Sequence, residues 1–404
     1  MRSMSENERR ILALIAEEGP LTKGDLSMKG EMAWATVVKY VNRLQKLGVL
    51  TRTGTAPREP QLGKNSYLFD LAEDAPKFVG VDIEYRTTRL AIVNLRREVL
   101  WQTVLTTEAL SSPEEFIEFL GSQVLSRVRE SGVCETSLSE SPFGSIVGIG
   151  IGMPRWLLPD GGDVFPILSE KLTQAYSLPV RVENNIRAYT LYKEPRILES
   201  DFIVVSVRNG IGAGLVVGGA LYRGEEGLAG EIGHITAEEG GKLCRCGKHG
   251  CLETVVNQFT LFDSYQAKTR RPHIDDALAV EEGLPELFER AADGEPEALA
   301  VLAEAAEPLG RSLATLLLVL NVRNLYLVGH FGEFGDVWLD YLREAIRKHV
   351  DPRLGFDLHY RKLEDEGYLL GAALLVAREY LDYSVLGNGS QDREQHVERQ
   401  EAGA

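Results

Sequence analysis

The sequence predicts an α/β body preceded by a small winged helix-turn-helix head. Three observations predict it. From residue 78 onward, short β-branched runs alternate with stretches of helical periodicity, the pattern of an α/β architecture. Residues 1–70 read instead as three short helices and then two strands around a tip containing Pro and Gly. The two segments also differ in charge. The first seventy residues hold 11 Lys and Arg against 8 Asp and Glu, a net of +3 in a chain of net −16, which leaves −19 on the rest. A mildly basic head on an acidic body fits a DNA-binding module joined to a body that does not touch DNA.

The head can be read helix by helix. Ser5 and Glu8 have capping-box spacing, ahead of an apolar stripe at Ile11, Leu12, Leu14 and Ile15 that Gly19-Pro20 ends. Thr22 with Asp25 can cap a short second helix around Leu26. A third helix runs from about Ala33 to Leu47 and stops at Gly48. Val37, Val38, Val41 and Leu44 face its core, while Trp34, Thr36, Lys39, Tyr40 and Arg43 are offered to DNA. Strands at 49–52 and 66–69 make the wing, with Lys64 near its tip. Such a recognition helix enters the major groove while basic residues hold phosphates. On residues alone, a small helical dimerisation or capping domain competes with this reading.

The body follows a short link at 73–76. Strands are expected at 78–83, 89–94, 99–103, 146–152, 180–183, 202–207 and 325–328. Helices are expected over 113–128, 168–176, 296–318 and 371–383, and a polar, acidic, frayed tail over 387–404. No apolar run reaches the ~18 residues of a membrane span. The opening residues carry no signal-peptide apolar core. The expectation is a cytoplasmic protein without a membrane partner.

Three of the four cysteines fall between Gly227 and Glu253. Cys244 and Cys246 are one residue apart, Cys251 lies five further on, and His234 precedes them. Three thiolates and an imidazole are the soft ligand set that Zn²⁺ takes in a closed structural site. His249, between the cysteines, is a rival ligand, though a solvent-facing loop position suits it better. The fourth cysteine, Cys134, stands alone and is given no role.

These residues carry a family resemblance. Glu231-x-x-His234 followed by Cys-x-Cys-Gly-x-x-Gly-Cys-x-Glu resembles the signature of the ROK family of repressors, open reading frames and sugar kinases. The resemblance covers nearly the whole chain. It implies a two-lobed sugar-kinase/actin-like (ribonuclease H-like) ATPase fold over 76–404, with lobe I near 76–190 plus 371–386 and lobe II near 191–370. It implies structural zinc on His234, Cys244, Cys246 and Cys251. It further implies a sugar pocket of Asn184, Asn185, Glu231, His234 and Glu253, with His234 touching metal and sugar through different ring nitrogens. The head, 1–75, resembles the N-terminal domain of ROK repressors at Thr36-Val37 and Gly63-Lys64, with Ala33 where a serine cap is usual.

Two parts of the kinase chemistry are altered. Family kinases carry Asp-x-Gly-Gly-Thr after the first strand, where glycines let backbone N–H groups approach phosphates. Here the run is Asp82-Ile83-Glu84-Tyr85-Arg86-Thr87. The family's Glu-Asn-Asp supplies a general base, and here it reads Glu183-Asn184-Asn185. A carboxamide cannot accept that proton near neutral pH, although it can hold a hydroxyl. A Gly-x-Gly-x-Gly run at 210–214 survives and reads as a tight turn packing two strands, and the last phosphate-side pair appears as Gly329-His330. The expectation is therefore a repressor binding operator DNA as a homodimer or higher oligomer, with a sugar or sugar phosphate as effector and no catalytic residue. The competing expectations are an ATP-dependent hexose or amino-sugar kinase, and a repressor controlled by a protein partner.

Overall fold

The computed structural model describes residues 4–56, 66–84, 87–107, 113–133, 146–154, 164–193, 201–273, 277–329, 336–362, 365–378 and 380–381. Lys64, Tyr85, Arg86, Cys134, His330 and the 387–404 segment lie outside these residues.

The head comprises α1 (Glu6–Glu18), β1 (Leu21–Thr22), α2 (Lys23–Lys29), α3 (Trp34–Lys46), β2 (Leu50–Thr55) and β3 (Tyr67–Leu71). It is not purely helical, because β1, β3 and β2 form a three-stranded sheet in that order. Both expected capping boxes form. Glu8 accepts from the Ser5 N–H and hydroxyl, at 2.9 and 2.8 Å, and Asp25 accepts from the Thr22 N–H at 2.9 Å. Ile11, Leu12, Ile15, Leu26, Val37, Val41 and Leu44 close the core with no exposure.

The body begins with β4 (Lys77–Ile83), β5 (Thr87–Asn94) and β6 (Val99–Thr106), an antiparallel meander. A helical stretch follows as α4 (Pro113–Phe119), a π turn (Leu120–Val124) and α5 (Leu125–Glu130), where a single helix was expected. Then come β7 (Ile146–Met153), α6 (Val164–Tyr176), β8 (Val180–Asn184) and α7 (Asn185–Lys193). The second half has β9 (Phe202–Val207), β10 (Ile211–Val217), β11 (Ala220–Tyr222), α8 (Gln258–Lys268), α9 (Ala277–Ala292), α10 (Pro296–Leu320), β12 (Asn324–Gly329), α11 (Asp336–His349), β13 (Asp357–Lys362) and α12 (Asp365–Ala377). The closing helix runs Asp365–Ala377, starting and ending earlier than the expected 371–383.

The two five-stranded sheets repeat one topology. The first runs β6-β5-β4-β7-β8 and the second β11-β10-β9-β12-β13. In each, an antiparallel meander is extended by two parallel strands. Strand alternation gives each sheet two apolar faces. In the first sheet, Val79, Val81, Ile83, Ile149 and Ile151 pack on α4, α5 and α6, while Phe78, Ala91 and Val93 join the α12 side. In the second, Ile203, Val205, Leu325 and Leu327 pack on α8 to α11, while Phe202, Val204 and Val328 meet Ile186, Tyr189 and Tyr368. Helices α7 and α12 are therefore the layer between the sheets.

That middle layer depends on absent side chains. A Cβ at Gly150 would lie 1.7 Å from the Ala372 carbonyl oxygen of α12. One at Gly214 would lie 1.8 Å from the Thr190 hydroxyl of α7. Gly214 belongs to the Gly-x-Gly-x-Gly run, which was expected to be a turn. Only Gly210 sits in a turn, and the later glycines lie on β10, where they admit α7.

Candidate functional site: a metal cluster and a closed cleft

The C-terminal ends of β4 and β8 and the β9–β10 turn converge on one cleft. Asp82 and Glu84 reach it from the first sheet, and Arg208 and Asn209 reach it from the second. All four are buried. Glu84 accepts from Asn185 Nδ2 at 2.9 Å and from Asn209 Nδ2 at 3.0 Å. Arg208 Nη1 stands 3.0 Å from Glu84 Oε1 and 3.3 Å from Asp82 Oδ2. Its guanidinium also lies 4.4 Å from the centre of the Tyr368 ring. Burial pushes the Asp82 carboxyl up to about 6, against the pull of Arg208. Gln258 donates to Asn209 Oδ1 and fixes that amide.

The position that the family resemblance reserves for phosphate-facing glycine is thus filled by a carboxylate bonded across the cleft. An anionic phosphate there would have to displace Glu84 from Arg208 and meet two carboxylates in a low-dielectric setting. Nothing in the motif alone gives the direction of the Glu84 side chain. Arg208 and Gln258 carry no motif of their own, and neither they nor Asn209 were anticipated as its partners.

Beside the cleft, the five residues expected to surround sugar fall into two connected groups. Asn184 Nδ2 donates to Glu231 Oε1 at 3.3 Å, joining the end of β8 to the second half. Asn185, the first residue of α7, adjoins this pair and reaches Glu84. His234 and Glu253 form the second group, with Nδ1 and Oε1 3.6 Å apart. Arg245 joins the second group to the β9–β10 turn. Its Nε donates to Glu253 at 3.4 Å and its Nη2 to the Asn209 carbonyl at 3.2 Å. The sequence reading passed over Arg245 because it sits as an arbitrary residue inside the cysteine motif.

A separate cavity of about 660 Å³ opens beside β8 and α6, lined by Phe165, Ser169, Arg181, Glu183 and Arg223 among others. None of the five pocket residues lines it. Ser169, Thr173, Glu183 and Arg187 there bond to neighbouring protein groups, so its walls are largely satisfied by the fold. The polar groups that converge from both sheets lie at the cleft and not in this cavity.

His234, Cys244, Cys246 and Cys251 bring one ligand atom each within 4.8 Å of one another. Cys244 Sγ is 3.6 Å from His234 Nδ1, and the Cys246 and Cys251 sulfurs are 3.6 Å apart. A tetrahedron with Zn–S and Zn–N bonds has edges of about 3.5 Å between N and S and about 3.8 Å between sulfurs. The donor set and spacing therefore fit a four-coordinate metal ion with no open position. Two isolated bridges, Thr236 to Cys251 and Leu243 to His249, fold the loop into this shape. His249 bonds to the Gly241 carbonyl through Nδ1 and stays outside the cluster. Nδ1 of His234 faces both the Cys244 sulfur and the Glu253 carboxylate. Burial and the adjacent Glu253 carboxylate push the Cys244 thiol well up, a shift that a coordinated cation would reverse.

On the head, Trp34 and Lys39 are exposed on α3, while Thr36 and Tyr40 are half-buried. Arg43, on the same helix, is half-buried. Its Nε lies 3.2 Å from the buried Glu8 carboxylate, so it braces α3 against α1. Asn42 and Lys46 share the exposed face with Lys39. Arg52 on the wing stacks over Tyr67 at 4.6 Å. No helix among the described residues is long and apolar enough to cross a membrane.

Two sheets of like topology about a cleft, with the His/Cys loop on one wall, define the two-lobed sugar-kinase-like α/β fold. The chain belongs to the ROK family, whose model matches residues 78–379. It is 24% identical over 398 residues to the xylose repressor of Caldicellulosiruptor bescii, covering 93% of this chain and 96% of that one. It is 27% identical over 324 residues to the glucokinase of Halalkalibacterium halodurans, covering 75% of this chain and 95% of that one. Among solved structures, a ROK family transcriptional regulator, a homologue of the E. coli MLC protein, superposes with a TM-score of 0.71 at 21% identity. That match covers 94% of this chain and 96% of the other.

Proposed function

We propose that this chain is a sugar-responsive DNA-binding transcriptional regulator, a repressor of genes for carbohydrate uptake or catabolism. Its body is a kinase-like sensor without phosphoryl transfer. The observation that carries this is Glu84, whose buried carboxylate bridges the two sheets where a nucleotide phosphate would sit. The extent of the similarities supports the same reading. The repressor match covers 93% of this chain and so must take in most of the head, whereas the glucokinase match covers only 75%. The head would read an operator half-site through Trp34, Thr36, Lys39, Tyr40 and Lys64, with a homodimer reading two. Asn42, Lys46 and Arg52 join that set, and Arg43 supports it from behind. The sugar would sit among Asn184, Asn185, Glu231, His234 and Glu253, in a protein that works in the cytoplasm.

Calorimetry with xylose, glucose, N-acetylglucosamine and their phosphates tests the pocket. At least one sugar should bind, and Glu231→Gln should weaken it about tenfold or more, a loss of ~1.4 kcal/mol, without altering metal content. Absence of binding by every sugar would leave the cleft vestigial and favour control by a protein partner.

Structural Zn²⁺ would be held by His234, Cys244, Cys246 and Cys251. When bound, it supplies a fixed cross-link rather than chemistry, and it orients His234 toward the cleft. Metal analysis should find about one zinc per chain. Cys246→Ala should lose most of it and melt at lower temperature. A Cys246→Ala protein as metal-loaded and as stable as the parent would remove Cys246 from the ligand set.

A further inference from the structure

The link between head and body is concentrated at one hairpin tip. The turn between β5 and β6 is built by Asn94, whose Oδ1 accepts from the Arg96 and Glu98 N–H groups at 2.9 and 3.0 Å. Its backbone carbonyl also accepts from the Arg97 N–H at 3.0 Å. Arg97 holds φ +64°, a left-handed conformation that glycine or asparagine adopts more readily. A long cationic side chain at such a position has a use.

Arg96 and Arg97 both reach the head. Arg96 Nη1 donates to the carbonyls of Ile15 and Ala16 at 3.3 and 3.4 Å, in the last turn of α1. Those carbonyls carry the negative end of the helix dipole, and α1 has no basic residue of its own in that turn. Arg96 Nη2 also pairs with Asp70 of β3. Arg97 Nη2 pairs with Glu17 at 2.5 Å. One hairpin tip therefore grips the end of α1 and the wing sheet together. The apolar contact runs the same way, since the head core and Phe78, Ala91, Val93 and Leu95 belong to one continuous cluster.

The other end of β5 lies at the cleft. There it pairs with the end of β4 that carries Asp82, which is opposite Arg89. The eight residues of β5 span about 26 Å at the rise of an extended strand. Within the head, Glu8 and Arg43 tie α1 to α3, so a displacement of α1 carries the recognition helix with it.

We propose that Arg96 and Arg97 are positioning residues that clamp the head to the first sheet. Movement of that sheet at the cleft reaches the operator-reading helix through the β4–β5 pair and this clamp. The proposal rests on the regulator reading above, and the test separates the two. The full-length protein and its Arg96→Ala/Arg97→Ala variant are compared with xylose, glucose and N-acetylglucosamine as probes. Sugar binding by calorimetry and zinc content should stay within about twofold of the parent. The ratio of operator affinities with and without sugar should collapse from roughly 5–150-fold toward one. Reversing one pair with Arg97→Glu should reduce that ratio, and adding Glu17→Arg should restore it. Hydrogen exchange of the α1 backbone, measured without sugar, should speed up in the double variant. A double variant with the parent's sugar response overturns the clamp. If the parent itself shows no sugar response, the regulator reading fails, and the clamp is then judged on exchange alone. Unchanged α1 protection would overturn it there as well.

Discussion

Purified protein is expected to release no ADP when given ATP, Mg²⁺ and any of glucose, mannose, xylose or N-acetylglucosamine. Two independent deficits underlie this. Asn185 cannot take the proton of an attacking hydroxyl, and loss of a general base typically costs ~10²–10⁴ in rate. Glu84 then opposes the nucleotide itself, since its carboxylate already satisfies Arg208, Asn185 and Asn209. For that reason Asn185→Asp alone should not restore turnover. It would place a second carboxylate within hydrogen-bond distance of Glu84, so the two would share a proton or separate. A coupled assay for ADP is the measurement. Sugar-dependent ADP release above background from the unaltered protein would contradict the regulator reading.

Operator affinity is expected to fall by about 10³-fold between 50 and 200 mM salt, the loss associated with about six neutralised phosphates. Lys39, Lys46 and Arg52 offer three exposed or wing-borne cations per head, and a dimer presents two heads. Lys46→Ala should flatten the salt dependence by about one phosphate per head and weaken all duplexes alike. Arg43→Ala should behave differently. It removes the guanidinium from the buried Glu8 carboxylate, which keeps its Ser5 hydrogen bonds, a change that destabilises by about 1.5–3 kcal/mol. Its effect should therefore appear as a lower head melting temperature. Fluorescence anisotropy across a salt series, with thermal melts of both variants, distinguishes the two. A salt slope near zero would mean that the head is not held by phosphates.

The sequence made the head legible because local chemistry specifies it. Ser5/Glu8 and Thr22/Asp25 are contacts within three residues, and the structure forms both. The metal cluster was legible for a similar reason, since three of its four ligands lie within eight residues and thiolates favour few other fates. The middle layer was harder. Helix α7 begins inside Glu-Asn-Asn, where the strand pattern and the helix pattern share residues. The glycines of β10 look like a turn until α7 is packed on them. Long-range pairings left no trace at all. Arg43 has a surface spacing on α3, yet it is spent on Glu8, which lies 35 positions earlier. Glu84 meets Arg208 and Asn209 more than 120 residues on, and only folding brings them together.

The central claim is that one chain reads DNA with its head and a sugar with its body. The direct measurement is operator affinity of the full-length protein as a function of sugar. A near-palindromic duplex is first selected from a random pool by the protein itself. Each of xylose, glucose, N-acetylglucosamine and their phosphates is then titrated into the complex. A change in affinity of roughly 5–150-fold with at least one sugar, and none with ATP, is the predicted result. Failure to enrich any duplex, or an operator affinity that no sugar alters, would contradict it.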